Sequence, residues 1–257
     1  MPEVSSYKPG QFCWVELSTT DAKSAKSFYT NLFGWKVNEN PMGDQGIYYM
    51  FQVKGKDAAA MYEQSPDEKK SGIPPHWNNY VSVKSVDDAA NKVKSLGGNV
   101  VAGPFDVYDF GRMAFVTDSQ GAMFALWEPK KHIGATILGD PGTLSWNELY
   151  APSSDNASKF YGSLFGWTPK KSPEYTEFHL GEKAIGGMME TTGRLEGMPA
   201  NWMPYFNVAD TDATVQKAKA SGAQVHHPPT DIPEVGRFAV LADPQGAAFA
   251  IIALRNR

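Results

Sequence analysis

Two short runs carry the residue types best suited to chemistry, and each occurs twice. Trp14-Val15-Glu16-Leu17 recurs as Trp146-Asn147-Glu148-Leu149, and Gly111-Arg112-Met113-Ala114 recurs as Gly236-Arg237-Phe238-Ala239. A glutamate in a dry pocket can act as a general base, and an arginine can stabilise an oxyanion or fork onto a carboxylate, phosphate or enolate oxygen. Glu16, Glu148, Arg112 and Arg237 are therefore the candidate catalytic residues. The competing reading makes Glu16–Arg112 and Glu148–Arg237 buried ion pairs that hold a sheet together, because an unpaired buried charge is costly. Cys13 is the single cysteine and can form no internal disulfide. Strand alternation points it away from Trp14 and toward a helix, as a small buried hydrophobe and not a nucleophile.

These runs belong to a repeat that organises the whole chain. The offset between matching segments is 132 at first, with SFYTNLFGW (27–35) against KFYGSLFGW (159–167). It becomes 127 around Tyr48 and Tyr175, and then 125, where GIPPHWNNY (72–80) matches GMPANWMPY (197–205). The offset changes fall at 36–47 and 64–71, polar stretches that read as surface loops. Two homologous domains follow, 11–129 and 142–254, joined by Lys130 to Pro141. That linker is short enough to pack the halves closely. Within the first repeat, residues 12–18 alternate as a strand, Thr20-Asp21 starts a helix, and Gly34 ends it. Tyr48–Val53 and Ala58–Glu63 read as strands. The order then restarts with a strand at Asn79–Lys84, a helical face from Val86 to Leu96, and strands at Asn99–Ala102, Arg112–Thr117 and Ala122–Trp127. Each half-repeat reads β-α-β-β-β, which makes four such units in an α+β chain of 257 residues.

Composition narrows the partners. Charged residues are 20% and hydrophobic ones 42%, so the chain can bury a core and is not disordered. A net charge of −4 disfavours nucleic acid and anionic membranes, which reward clustered Lys and Arg. No apolar run approaches the roughly 18 residues of a membrane span, and MPEVSSYKPGQ lacks the basic-then-apolar shape of a signal peptide. The expectation is a cytoplasmic monomer or homodimer whose partner is a small molecule.

The carrying residues resemble the vicinal oxygen chelate superfamily, which includes glyoxalase I, extradiol dioxygenases and bleomycin- and fosfomycin-resistance proteins. They are Asp21-x6-Phe28-Tyr29-x3-Phe33-Gly34-Trp35, Val81-x-Val83-x2-Val86-Asp87 and Asp118-Ser119-Gln120-Gly121, with counterparts Phe160-Tyr161-x3-Phe165-Gly166-Trp167, Val208-Ala209-Asp210 and Asp243-Pro244-Gln245-Gly246. The resemblance covers nearly the whole chain. It implies four βαβββ modules forming two tandem glyoxalase-like domains with cup-shaped sheets, and leaves open whether each cup forms within a repeat or across repeats. It further implies that metal-using relatives ligate from positions occupied here by Trp14, Asn78 and Ala125, and by Trp146, Met203 and Ala250. Trp, Met and Ala do not ligate a divalent ion and Asn is poor alone, so no metal and no cofactor are expected. Glu63 and Glu190 match across the repeat but read as rim carboxylates. The five histidines are not repeat-paired.

Taking those positions as the concave face, strand parity assigns Trp14, Glu16, Ser18, Asn78, Tyr80 and Ser82 to the first cup. A two-residue hairpin loop pairing Asp118 with Gly121 would add Arg112, Ala114, Val116, Met123, Ala125 and Trp127. The second cup would hold Trp146, Glu148, Tyr150, Met203, Tyr205, Asn207, Arg237, Ala239, Ala248 and Ala250. The candidate ligand-binding residues are Trp14, Asn78, Tyr80, Trp127, Trp146, Met203 and Tyr205. Both tryptophans at the strand starts could equally be core residues filling the old metal cavity, and Trp77 and Trp202 read as structural anchors. The lining suits an aromatic or anionic metabolite or antibiotic held without a metal. The alternative is an enzyme of the superfamily, either a metal-free isomerase- or hydroxylase-like catalyst or a metal-dependent lactoylglutathione lyase or dioxygenase. The sequence leaves enzyme status open between a glyoxalase-like lyase, an oxidoreductase and a binder.

Overall fold

In the computed structural model, which describes residues 3–255, each repeat contributes one eight-stranded mixed sheet. The first contains β1 (Phe12–Thr19), β2 (Lys36–Pro41), β3 (Ile47–Val53), β4 (Lys56–Glu63), β5 (His76–Ser82), β6 (Asn99–Val107), β7 (Gly111–Thr117) and β8 (Met123–Pro129), in the order β2-β3-β4-β1-β5-β8-β7-β6. Helices α1 (Ala22–Phe33) and α3 (Val86–Ser95) follow β1 and β5, and a short α2 (Pro66–Lys70) links the two modules. The second repeat copies the plan. β9 (Leu144–Ala151), β10 (Thr168–Lys171), β11 (Thr176–Leu180), β12 (Lys183–Glu190), β13 (Asn201–Asn207), β14 (Gln224–Ile232), β15 (Gly236–Ala242) and β16 (Ala248–Leu254) run in the order β10-β11-β12-β9-β13-β16-β15-β14, with helices α4 (Ser154–Phe165) and α5 (Thr211–Ala220). All eight strands of a sheet come from one repeat, so each cup forms within its own repeat.

The helix ends follow the sequence signals. Asp21 caps α1 by accepting from Ser24 N at 2.9 Å, and Gly34 closes it in the left-handed conformation at φ 70°. Ser153 and Gly166 do the same for α4. The segment 36–47 departs from its loop reading, because it contains β2, an edge strand exposed along nearly its whole length. A strand with no buried face has no alternation to detect.

The helices pack across the repeats. One core joins Val81, Val86 and Val93 of the first repeat to Leu149, Phe160, Tyr161 and Trp167 of the second. The other joins Val15, Leu17, Phe28 and Tyr29 to Phe206, Val215, Phe249 and Ile251. Polar ties pin each core. The Tyr29 hydroxyl donates to Asp243 Oδ2 at 3.0 Å while accepting from Trp77 Nε1 at 3.1 Å. Tyr161 donates to Asp118 at 3.0 Å and accepts from Trp202 Nε1 at 2.8 Å. Trp77 and Trp202 thus anchor the cross-repeat cores from within β5 and β13.

The β7–β8 hairpin corrects the expected register. Asp118 N donates to Ala122 O at 2.9 Å, and Asp118 Oδ1 accepts from Gln120 N and Ala122 N. The loop is therefore three residues, Ser119 to Gly121, one more than assumed. Arg112 lies opposite Glu128, Met113 opposite Trp127 and Phe115 opposite Ala125. A one-residue slip moves a whole strand to the other face. Ala114 and Val116 consequently lie in the cross-repeat core, and Met113 and Phe115 take the cup face. The Asp243–Ala247 turn shifts β15 identically, sending Ala239 to the core and Phe238 and Val240 to the cup.

Candidate functional site

Each cup is built around one buried glutamate held by tyrosines. Glu16, 7% exposed, accepts from the Tyr48 hydroxyl at 2.7 Å and from the Tyr80 hydroxyl at 2.9 Å, one bond on each carboxylate oxygen. Burial pushes its pKa up to about 7, the two hydroxyl bonds only partly opposing the rise. Trp14 Nε1 donates to Tyr48 at 3.4 Å, and Ala60, Met113, Ala125 and Trp127 complete the lining.

In the second cup Glu148, 3% exposed, accepts from Tyr175 at 2.8 Å and from Trp146 Nε1 at 3.2 Å, both on Oε2. Burial raises its pKa to about 8 against those two bonds. Tyr205, the counterpart of Tyr80, instead faces the Tyr150 hydroxyl at 3.4 Å. Tyr150 stands where the first repeat has Ser18. Met203, Ala250, Ile252, Phe238 and the loop residues Leu195 and Met198 finish this cup.

The predicted glutamate–arginine pairs do not form, and Arg112 and Arg237 do not line the cups. Arg112 makes a two-bond fork onto Asp87, at 2.8 and 3.0 Å, and lies 3.6 Å from Asp106. Arg237 does the same with Asp212, at 2.6 and 3.2 Å, and lies 3.4 Å from Asp231. Each clamps the first turn of α3 or α5 to the outer strands. Glu16 and Glu148 have no ion pair among the described side chains, and neither arginine is available in a cup to hold an anionic ligand.

Other expectations divide. Trp14, Tyr80, Trp127, Trp146, Met203 and Tyr205 all reach a cup cluster, and Asn78 is buried opposite Glu16. Cys13 is fully buried as expected, but a bulge between Phe12 and Trp14 groups it with Trp14 and Tyr80 and not with a helix. Burial pushes its thiol pKa far up, which makes it a poor nucleophile. Glu63 and Glu190 are not cup-rim carboxylates: they share the helix-facing side of β4 and β12 with Met61 and Met188 and cap helices, accepting from Ala22 N at 3.2 Å and Ser154 N at 2.7 Å. Sequence reasoning missed Tyr48 and Tyr175, although both are repeat-paired and share a face with the glutamates through β4 and β12. It also missed Phe115 and Phe238, hidden by the register slip.

The donor set does not suit a divalent cation. Trp14, Asn78 and Ala125, with Trp146, Met203 and Ala250, stand where the resemblance would put metal ligands, and Glu16 and Glu148 are each engaged by phenol or indole donors. Among the described residues no group of three His, Cys, Asp or Glu side chains could share an ion.

Comparison with known proteins agrees with this architecture. The family model for the Glyoxalase/Bleomycin resistance protein/Dioxygenase superfamily matches residues 11–126 and 143–251. The chain belongs to that superfamily. Within this glyoxalase-like family it is 44% identical to "Putative glyoxylase CFP32" of Mycobacterium bovis, over 98% of each chain. It is 32% identical to the anthracycline biosynthesis protein DauV of Streptomyces sp., over 98% of this chain and 96% of that one. Homoprotocatechuate 2,3-dioxygenase from Arthrobacter globiformis shares the fold with a TM-score of 0.67 at 15% identity, over 98% of this chain and 82% of the other. No helix among the described residues is long and apolar enough to cross a membrane.

Proposed function

We propose that this glyoxalase-like chain binds a flat aromatic small molecule in a cup, without a metal, through stacking on Trp and Tyr and a hydrogen bond to the buried glutamate. The observation that carries this reading is a buried carboxylate with no cation partner, surrounded by aromatic rings. Desolvated pockets of that kind favour planar ligands with one polar handle. The kinship with an anthracycline biosynthesis protein supports the same ligand class, since anthracyclines are flat, hydroxylated polycycles. The test is quenching of tryptophan fluorescence by a panel of hydroxylated anthraquinones and flavins. Binding should be tight in the wild type and lost in the Trp14→Ala/Trp146→Ala double variant. Unchanged affinity in that variant contradicts the reading.

A second reading is favoured by the carboxylate pKa values of about 7 and about 8. They suit a general base working near neutral pH, so the same site could move a proton on its bound ligand. In that case Glu148→Gln lowers kcat by a larger factor than it raises KM.

A further inference from the structure

The two cups differ at the end occupied by the first tryptophan of each strand. In the first repeat the linker after β8 folds back over the cup. The His132 ring stands edge-on to Trp14, with centroids 4.8 Å apart, and 5.9 Å from Trp127. Trp127 Nε1 donates to His132 O at 2.9 Å, and Ala135 N donates to Cys13 O at 2.8 Å. The Tyr7 hydroxyl ties down the N-terminal segment by donating to Ala135 O at 2.7 Å. The close seating requires Gly134, where a Cβ would fall 2.2 Å from Cys13 O. Trp14 is consequently only 3% exposed. The linker thus places its own flat, nitrogen-bearing ring against the tryptophans of the first cup.

In the second cup the His227 ring stacks on Phe238, centroids 5.0 Å apart, and Leu195 and Met198 pack over the far end, but among the described residues no ring is seated against Trp146 as His132 is against Trp14. Trp146 and Phe238 stay partly exposed where Trp14 and Met113 are buried. Beside Trp146 lies an unsatisfied atom. Glu148 Oε1 is buried and accepts no hydrogen bond, whereas both oxygens of Glu16 are engaged. A buried carboxylate oxygen without a partner is strongly unfavourable, and a ligand supplying one removes that penalty.

Building on the aromatic-ligand reading above, we propose that the second cup is the binding cup and takes a flat aromatic hydroxyl compound, its hydroxyl meeting Glu148 Oε1 and its ring lying against Trp146. A phenolic hydroxyl fits because it donates to the ionised carboxylate and accepts from the carboxylic acid. The first cup is occupied by its own linker. Its own buried atoms without a partner are Ser18 Oγ, Asn78 Nδ2 and His132 Nε2, the last on the linker ring that fills it, whereas both oxygens of its glutamate are engaged.

The experiment is calorimetric titration of the intact protein with 2-naphthol and with 2-methylnaphthalene, alongside the indole N–H spectrum. The expected result is one naphthol per chain, a shift of the Trp146 indole signal, and, at about pH 9 where Glu148 is ionised, affinity about tenfold lower in Glu148→Gln, the loss of one hydrogen bond to a charged group. Methylnaphthalene should bind more weakly and be indifferent to that substitution. Should Glu148→Gln fail to fold, the indole shift and stoichiometry in the wild type still decide. Two naphthols per chain, a shift at Trp14 in place of Trp146, or unchanged affinity in a folded Glu148→Gln protein overturns the assignment to the second cup while leaving the aromatic-ligand reading standing. No binding of either compound overturns that reading itself.

Discussion

Glu16 and Glu148 set the chemistry of the cups, and their titration should be visible in stability. Burial raises both pKa values, to about 7 and about 8, from the usual 4.5. A raised carboxyl pKa means the folded state holds its proton longer than the unfolded chain does. Its stabilising contribution is fully present below about 4.5 and is lost as pH rises through the folded value. The wild type should therefore show a lower urea midpoint at about pH 9 than at about pH 5, and Glu148→Gln should flatten that decline. Tyr175 opposes the rise by donating to the carboxylate, so Tyr175→Phe should move the Glu148 midpoint further up, read from pH-dependent Trp146 fluorescence. Gly187→Ala should act in the same direction. A Cβ there would fall 1.8 Å from the Tyr175 hydroxyl and displace it.

At the scale of elements, most of the framework was legible. Asp21 and Gly34 announced α1, and alternation in β1, β5 and β8 put Trp14, Glu16, Tyr80 and Trp127 on the correct face. What failed was a count of one residue in the β7–β8 turn. Asp118 locks a three-residue loop with its side chain, a feature that alternation within a strand does not register. That error put two arginines into the cups and two aromatics out of them. The exposed edge strand β2 was illegible for a different reason, since it buries no face. The corrected register has a consequence for mutagenesis. Arg112→Ala should leave binding of hydroxylated aromatics unchanged in fluorescence titration, because the side chain grips Asp87 on the outer surface. A loss of binding there would restore the arginine to the cup.

Across the whole molecule, the cups are private to each repeat while the cores are shared. Neither repeat buries its helices alone, since α4 packs on the second module of the first repeat and α1 on the second module of the other. Thermal unfolding should accordingly be a single transition, and either repeat expressed alone should lack near-ultraviolet dichroism. Tyr161→Phe, which leaves Trp202 Nε1 and Asp118 Oδ2 each short of a partner, should cost about 1–3 kcal/mol in denaturant unfolding. The sequence exposed this doubling through its offsets of 132, 127 and 125, yet gave no sign that Lys130 to Pro141 would lie across one cup. A short linker reads only as proximity, and the seating of His132 against Trp14 depends on three-dimensional packing.

The most direct measurement is a pH titration of glutamate carboxyl carbons by NMR in labelled protein, assigned with Glu16→Gln and Glu148→Gln, with and without 2-naphthol. Two carboxyls should titrate at about 7 and about 8, and the Glu148 resonance alone should be displaced when the naphthol is added. Two carboxyls titrating in the ordinary range near 4.3, both indifferent to the ligand, would contradict that expectation.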